Sequence, residues 1–235
     1  MKILLTGGSG RLGTELQKIR KFEYVPTRKE MDITSKESIE LYTKDKQIDL
    51  IVHCAAIVST DKNQISDQDL YVTNVVGTWY LVSKAPTLFI STEYVFDGLS
   101  KNYSEYALTN PLNFYAETKK FGENVVIKND GKVIRAARMA SNPWPYEFAC
   151  NDMYTSGDYL DVMAKEINLA IDLFNELPDI VHIGTERKSV LDLARQTNPN
   201  VKEISRLELN SILPYDCSFN TDLWKSIKKK YLMDR

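Results

Sequence analysis

The sequence has few of the residues that bind metals or form disulfides. Its 235 residues include three cysteines, Cys54, Cys150 and Cys217, which are odd in number and widely separated. That number and spacing fit neither a disulfide framework nor the paired ligands of a zinc site. With only two histidines, His53 and His182, no metal site is expected.

Long apolar runs and a strong charge of either sign are also missing. No run approaches the roughly 20 residues of a membrane span, and residues 3–5 are too few for the core of a signal peptide. Thirty basic and 32 acidic residues give a formal net charge of −2, which argues against a nucleic acid or a membrane as the main partner. We therefore expect a cytoplasmic protein with a full hydrophobic core.

A glycine-rich turn follows directly on the first apolar segment. Residues 6–13 read TGGSGRLG, and residues 14–21 can form a helix. Gly7, Gly10 and Gly13 would allow a sharp turn, the close approach of a pyrophosphate, and close packing of helix on strand. Free N–H groups at the start of the helix would then bind phosphate. The spacing differs from the G-x-G-x-x-G of ordinary dehydrogenases, so a plain tight turn is the alternative.

The end of the second strand bears on the choice of nicotinamide cofactor. We expect that strand at residues 22–26, followed by Thr27, Arg28 and Lys29. An acidic residue at this place binds the ribose 2′-hydroxyl of NAD, whereas a basic one accommodates the 2′-phosphate of NADP. Arg28 therefore favours NADPH, with NADH as the alternative cofactor. A solvated loop charge is the other interpretation of Arg28.

Beyond this point, apolar strands alternate with helical segments. Strands are predicted at residues 49–55, 87–91, 132–135 and 180–183, and helices at residues 35–44, 70–82, 114–127, 158–176 and 221–230. Such alternation is typical of an α/β fold. We expect a Rossmann-type doubly wound parallel sheet with a small, reduced substrate-binding lobe. The nucleotide-binding domain is placed at residues 1–137 and the lobe at residues 138–235, with the chain crossing between them.

Two residues of the predicted helix at 114–127 indicate proton transfer. Tyr115 and Lys119 are four residues apart, which places them on one helical face. A nearby ammonium lowers the pKa of a phenol from its usual value of about 10, so Tyr115 would donate a proton near neutral pH. The hydroxyls of Ser91 and Thr92 follow a buried strand, at the sheet edge where ligands bind in such folds.

Taken in order, six segments resemble the dTDP-4-dehydrorhamnose reductase family of the extended short-chain dehydrogenase/reductase superfamily. They are residues 6–13 (TGGSGRLG), 31–34 (MDIT), 53–62 (HCAAIVSTDK), 91–98 (STEYVFDG), 110–119 (NPLNFYAETK) and 213–221 (LPYDCSFNT). The likeness is strong as far as residue 123 and thin between residues 139 and 210.

This resemblance implies NADPH-dependent reduction of the 4-keto group of a nucleotide-linked 4-keto-6-deoxy sugar. Tyr115 would protonate the carbonyl oxygen, Thr92 would hydrogen-bond it, and Lys119 would hold the nicotinamide ribose and lower the Tyr115 pKa. The implied cofactor-binding residues are Gly7, Ser9, Gly10, Arg11, Leu12, Arg28, Asp32, Ile33, Ala55, Ala56, Tyr115 and Lys119. The implied substrate-binding residues are Val58, Thr92, Glu93, Tyr94 and Arg138.

Four departures from the family leave the sugar and its dTDP or UDP carrier open. Val58 stands in place of a threonine, Glu93 in place of an aspartate, Arg138 in place of a tryptophan that packs on the sugar, and Leu213 in place of an arginine. Tyr94 follows Glu93, so the second carboxylate of the related 4,6-dehydratases is missing and reduction is favoured over dehydration.

Other functions and simpler roles stay open at this point. The branch also includes a noncatalytic NADP-binding regulatory subunit of methionine adenosyltransferase, and a sugar-nucleotide epimerase is a third reading. Tyr94 could be a core aromatic, and Asn74 either positions the catalytic helix or is a plain helix residue. A homodimer is the alternative to a monomer.

Overall fold

The computed structural model describes residues 1–59, 65–209 and 212–233. A sheet of five parallel strands forms its centre, in the order β1-β2-β3-β4-β5. These strands are β1 (Ile3–Thr6), β2 (Leu50–His53), β3 (Thr87–Thr92), β4 (Lys132–Ala136) and β5 (Ile180–Ile183). The sheet confirms the expected Rossmann-type α/β fold.

Eight α-helical segments accompany the sheet in the described residues. They are α1 (Arg11–Ile19), α2 (Lys36–Thr43), α3 (Asp67–Tyr71), α4 (Gly77–Val82), α5 (Phe114–Ile127), α6 (Leu160–Asp172), α7 (Val190–Arg195) and α8 (Asp222–Met233). A π-helical turn, Val72–Val76, joins α3 to α4, so one continuous helical segment covers the helix predicted at residues 70–82.

Alternating side chains of each strand are buried against helices on opposite faces of the sheet. Ile3 and Leu5 pack with Leu16 of α1 and with α6 on one face, whereas Leu4 packs with Ile39 and Leu81 of α2 and α4 on the other. Side chains of a strand alternate between faces, and a parallel sheet covered on both faces is apolar along its whole length. This explains why the strands appear as continuous apolar runs in the sequence.

The first helix begins earlier than the sequence indicates. It starts at Arg11 instead of residue 14, because Gly10 has extended backbone angles and serves as the N-cap. Gly13 therefore lies inside the helix. The strand expected at residues 22–26 is reduced to a single bridge, in which Tyr24 pairs with Leu4.

Capping residues explain the starts of two other helices. The Ser35 hydroxyl accepts a hydrogen bond from the Ser38 amide at the start of α2, as expected. The Asn113 side chain accepts one from the Ala116 amide at the start of α5. Such caps satisfy N–H groups that have no partner within the helix. Helix α5 has the predicted bounds.

After residue 137 the chain builds a second hydrophobic cluster and also returns to the sheet. The cluster includes Trp144, Met153 and Leu193. Around it lie three short strand pairs: Met139–Ala140 with Asp158–Tyr159, Phe148–Cys150 with Lys202–Ile204, and Tyr154–Thr155 with Lys188–Ser189. Helix α6 packs on α1, and α8 packs on β5. The division at residue 137 remains a prediction.

Within the described residues, no helix is long and apolar enough to cross a membrane. In the same part of the chain, no group of three or more His, Cys, Asp or Glu side chains is arranged to hold a metal ion.

Candidate active site

The glycine turn brings backbone atoms of three segments close together. Gly7 has a φ of +71°, and a Cβ there would lie 2.6 Å from the Ala55 nitrogen. A Cβ on Gly13 would lie 2.2 Å from the Gly7 carbonyl oxygen. Only glycine fits such contacts and such a φ without strain. Gly7 thus supplies the turn and the approach to β2, and Gly13 allows α1 to pack on the turn.

The N-terminus of α1 is open to a phosphate. No side chain caps Gly10, and the first turn of this described helix contains no acidic residue. Ser9, Gly10 and Arg11 are exposed. Unbonded N–H groups and the helix dipole favour an anion at such a place. The Arg11 guanidinium, whose Nη2 donates to the Met139 carbonyl at 2.6 Å, borders the same opening.

Two adjoining cavities meet at this turn. The first, the turn cavity, has a volume of about 270 Å³ and is lined by residues from the turn, from the segment after Tyr24 and from the end of β2. The second, the tyrosine cavity, has a volume of about 520 Å³ and extends over the carboxyl ends of β3 and β4. Gly7, Gly10, Cys54 and Ala56 line both cavities.

Every site residue predicted from the sequence lines one of these cavities. The turn cavity holds Gly7, Ser9, Gly10, Arg28, Asp32, Ile33, Ala55 and Ala56. The tyrosine cavity holds Gly7, Gly10, Arg11, Leu12, Ala56, Val58, Thr92, Glu93, Tyr94, Tyr115, Lys119 and Arg138. Of the segment 53–62, residues 60–62 lie outside the described part of the chain. The roles of these residues remain predictions.

Thr92, Tyr115 and Lys119 all line the tyrosine cavity. The Thr92 hydroxyl is near enough to the Tyr115 phenol to lower its pKa, and the Lys119 ammonium lies 3.9 Å from the centroid of the Phe89 ring. Phe89 belongs to β3, so a cation–π contact fixes the lysine against the strand that ends in Thr92. Two hydroxyls and one ammonium therefore face one space.

Burial controls the protonation of this group. Burial raises the pKa of Tyr115 to about 12, which outweighs the lowering by the nearby Thr92 hydroxyl, and the charge of Glu93 raises that pKa further. It also lowers the pKa of Lys119 to about 7. The expected lowering of the Tyr115 pKa by Lys119 is wrong for this structure, because desolvation disfavours both charged forms. Tyr115 is thus a protonated phenol at neutral pH.

Asn74 ties helix α5 to the loop after β2. Its Oδ1 accepts from the Ile57 amide at 2.9 Å, and its Nδ2 donates to the Ile57 carbonyl and to the Thr118 hydroxyl, both at 3.0 Å. Thr118 precedes Lys119 and donates to the Tyr115 carbonyl. These contacts support the positioning role of Asn74 over that of a plain helix residue.

Glu93, Tyr94 and Arg138 form a polar wall of the tyrosine cavity. Glu93 is 1% exposed, and its Oε2 accepts from the Thr155 hydroxyl at 2.6 Å. Burial raises the pKa of the Glu93 carboxyl to about 7, although Arg138 lowers it. Arg138 donates from Nη2 to the Tyr94 hydroxyl. Burial also raises the pKa of the Tyr94 phenol.

The structure adds an ion pair that sequence reasoning did not assign. Glu123 of α5 and Arg135 of β4 form a buried two-bond ion pair, and the Ser91 hydroxyl donates to Glu123 at 2.6 Å. Glu123 lies four residues after Lys119, and this spacing, which places both residues on one helical face, could have indicated its role from the sequence. Tyr146 lines the tyrosine cavity, whereas Trp144 of the same segment is buried in the second cluster.

Comparison with known proteins identifies the family. The family model described as "RmlD substrate binding domain" matches residues 1–147. The chain belongs to the RmlD family. A dTDP-4-dehydrorhamnose reductase of Aggregatibacter actinomycetemcomitans is 31% identical over 184 residues, which cover 71% of this chain and 61% of that relative. Methionine adenosyltransferase 2 subunit beta of Xenopus tropicalis is 28% identical over 151 residues, 55% of this chain and 43% of that one.

Solved structures of the RmlD family match along nearly the whole chain. A hypothetical dTDP-4-dehydrorhamnose reductase from Sulfolobus tokodaii has a TM-score of 0.82 at 25% identity, covering 97% of this chain and 94% of that one. The dTDP-4-dehydrorhamnose reductase of Bacillus anthracis, in complex with NADP, has a TM-score of 0.82 at 21% identity. The match covers 100% of this chain and 100% of that one. Among the curated relatives, the chain spans 51% of the length of one reductase and 61% of another.

Proposed function

We propose that the protein is an NADPH-dependent reductase of the 4-keto group of a nucleotide-linked 4-keto-6-deoxy sugar. The observation that carries the proposal is that the Thr92 and Tyr115 hydroxyls and the Lys119 side chain line one cavity, which the glycine turn also lines. The RmlD relatives are named as reductases of dTDP-keto sugars, and their substrates suggest the class assigned to this chain.

The residues fit a nicotinamide dinucleotide. The uncapped start of α1 and the exposed Ser9 and Gly10 would hold its diphosphate, and Arg28 at the rim of the turn cavity would face a 2′-phosphate. Lys119 would hold the ribose next to the nicotinamide. When bound, the cofactor supplies the hydride.

The protein's own part in the reaction is to bind the carbonyl and supply a proton. The Thr92 and Tyr115 hydroxyls would both donate hydrogen bonds to the carbonyl oxygen, which gains negative charge as the bond to carbon forms. Tyr115, whose pKa is about 12, keeps its proton at neutral pH until that oxygen becomes an alkoxide. An alkoxide is more basic than a phenolate, so the proton then passes from the phenol to the sugar oxygen.

Following NADPH absorbance tests this proposal. The protein is mixed with dTDP- or UDP-4-keto-6-deoxyglucose, each with and without a 3,5-epimerase. We expect oxidation with one of the two carriers, and dependence on the epimerase would assign the protein to a rhamnose-type product. If no keto sugar is reduced although NADPH binds, the reductase proposal is contradicted.

A noncatalytic regulatory subunit is the second candidate, because the similarity extends to methionine adenosyltransferase 2 subunit beta. Such a subunit would need the fold and not the proton donor. The presence of Thr92, Tyr115 and Lys119 in one cavity favours the enzyme. Binding to a methionine adenosyltransferase, together with no turnover of any keto sugar, would favour the regulator.

A further inference from the structure

Four charged side chains line the tyrosine cavity: Arg11, Glu93, Lys119 and Arg138. Arg11 lies beside the glycine turn, and Lys119 lies beside Tyr115. The Glu93 carboxyl accepts a hydrogen bond from Thr155. Arg138 lies beside Tyr94 and donates a hydrogen bond to its hydroxyl.

In the described residues, no carboxylate oxygen lies within 4.0 Å of the Arg138 guanidinium. Its Nη2 donates to the Tyr94 hydroxyl and lies 3.6 Å from the Met153 sulfur. Its Nε is buried without a hydrogen-bond partner in the same part of the chain. The residue as a whole is half-buried, and the buried part of a cation is costly to leave without a partner.

Some other arginines of the protein are paired with carboxylates. Arg135 forms two hydrogen bonds to Glu123, and Arg187 donates to Asp216 at 2.8 Å. Arg206 also has a buried Nε without a partner in the described residues, but it does not line the tyrosine cavity. Arg11 also lines the cavity without a carboxylate partner in the described residues, but it is exposed to solvent. Arg138 is therefore the cavity-lining arginine that combines a buried, unpartnered Nε with the lack of a carboxylate in this part of the chain.

The backbone of Arg138 is fixed by the segment that follows the short strand Tyr154–Thr155. A Cβ on Gly157 would lie 2.3 Å from the Arg138 carbonyl oxygen and 2.7 Å from its Cβ, and the Asp158 amide donates to that carbonyl at 2.9 Å. This close packing holds the arginine at the cavity wall. A preorganised guanidinium loses less entropy when it binds a planar anion.

Neighbouring Glu93 does not fully neutralise this charge. Burial raises the pKa of the Glu93 carboxyl to about 7, so a large fraction is uncharged at neutral pH. Its Oε1 is also buried without a hydrogen-bond partner in the described residues. The wall therefore presents net positive charge beside the place where the substrate carbonyl would bind.

We propose that Arg138 is a specificity-determining residue that binds an oxyanion carried by the nucleotide-sugar substrate. The proposal rests on the proposed function, since it places that substrate in the tyrosine cavity. Both phosphate and carboxylate oxygens accept the paired N–H groups of a guanidinium. The anion is either the diphosphate of the nucleotide or a carboxylate on the sugar. In the second case the sugar would carry that carboxylate at C6 in place of the methyl group of a 6-deoxy sugar, and the 4-keto reduction would be unchanged.

Calorimetric titration of the full chain saturated with NADP⁺ tests this assignment. The ligands are UDP, UDP-glucose and UDP-glucuronic acid, and the variants are Arg138→Met and Arg138→Lys. Arg195→Met serves as the matched control, because Arg195 is exposed and pairs with Glu203 outside the cavity. Thermal unfolding of each variant checks that it is folded.

The three ligands distinguish the two sources of the anion. If Arg138 binds the diphosphate, R138M weakens UDP binding by about tenfold or more, the range of a charge-assisted hydrogen bond. If it binds a sugar carboxylate, the wild type prefers UDP-glucuronic acid to UDP-glucose by about tenfold, and R138M removes that preference. Either result supports the proposal, with R195M unchanged.

Equal affinity of R138M and the wild type for all three ligands would overturn the assignment. R138K decides if R138M does not fold: a lysine keeps the charge but loses the planar pair of donors, so weaker binding supports the role and unchanged binding contradicts it. Arg138-dependent binding without turnover of any keto sugar would contradict the reductase proposal alone.

Discussion

At the scale of single residues, we propose that cofactor preference depends on Arg28. Its side chain is 79% exposed, and its Nε lies 3.3 Å from Asp32 Oδ2. An exposed ion pair of this kind contributes about 0–1 kcal/mol, so the guanidinium can turn toward a 2′-phosphate at little cost.

Replacing Arg28 with Ala should therefore weaken NADPH binding by roughly tenfold or more, the size of a charge-assisted contact to phosphate, and leave NADH binding unchanged. The dissociation constants of both cofactors measure this effect. Lys29→Ala is the control, because Lys29 is the adjacent exposed cation. An equal loss for both cofactors, or none for either, would show that Arg28 does not recognise the phosphate.

The sequence predicted that Tyr115 and Lys119 lie on one helical face, but it did not predict the direction of the Tyr115 pKa shift. The four-residue spacing of Tyr115 and Lys119 follows from helix geometry alone. Their burial depends on Phe89, Thr92 and other distant segments, so the direction of the Tyr115 pKa could be read only from the folded chain.

At the scale of elements, His53 links two strands and a helix. Its Nδ1 lies 2.7 Å from the Thr6 hydroxyl of β1, and its Nε2 lies 2.9 Å from the Thr78 hydroxyl of α4. Thr78 donates its hydrogen to the Asn74 carbonyl, so Nε2 carries the proton and donates to Thr78, whereas Nδ1 accepts from Thr6. The imidazole is therefore neutral and structural.

Stability should fall in acid because this histidine resists protonation. Burial, together with the positive charge of Lys119, lowers the pKa of His53 to about 3, whereas an unfolded histidine has a pKa of about 6.5. Between these values the unfolded chain binds one more proton, so the contribution of His53 is complete above about pH 6.5 and is lost as the pH falls toward 3, by up to about 1.4 kcal/mol per pH unit.

Urea unfolding between pH 4 and 8 checks this prediction by comparing wild type with His53→Gln. Glutamine can also donate and accept a hydrogen bond but does not titrate. We expect the free energy of unfolding of the variant to depend less steeply on pH below about 6.5. Equal slopes would mean that His53 is not the group responsible.

Element bounds were predictable where a local signal specifies them. Helix α5 begins after the Asn113 cap, and its bounds agree with the prediction. The start of α1 was misplaced, because the N-cap is a glycine in a run of glycines. The π-helical turn at Val72–Val76 has no signal in a segment that was predicted as a single helix.

At the scale of the whole molecule, the buried ion pair of Glu123 and Arg135 connects the site to the sheet. Ser91 of β3 donates to Glu123, and Arg135 Nη1 donates to the Glu105 carbonyl and lies 3.4 Å from His182 Nε2 of β5. The pair therefore joins helix α5, which carries Tyr115 and Lys119, to three strands and one loop.

Substituting Glu123 with Gln should destabilise the fold by about 3 kcal/mol or more, because the Arg135 charge stays buried without its counter-charge. Chemical denaturation measures this free energy of unfolding. Glu117→Gln, an exposed position of the same helix, should change it by less than about 0.5 kcal/mol. If Glu123→Gln changes the free energy of unfolding as little as Glu117→Gln does, the stabilising role of the Glu123–Arg135 ion pair is contradicted.

The sequence was sufficient for the sheet and less so for the second lobe. Apolar runs between residues 3 and 136 predict parallel strands directly. The lobe consists of strand pairs two or three residues long between distant segments, such as Met139–Ala140 with Asp158–Tyr159. Their pairing depends on the packing of Trp144 and Met153, so the contacts of Arg138 and Thr155 could not be foreseen.

The most direct test of the central claim compares Tyr115→Phe with wild type in NADPH oxidation, with the keto-sugar nucleotide that the wild type reduces. Removing the hydroxyl takes away the proton donor and leaves the ring, so we predict a loss of kcat of about 10²- to 10⁴-fold with NADPH binding and thermal stability retained. A variant that keeps most of the wild-type turnover would contradict the assignment of Tyr115 as proton donor.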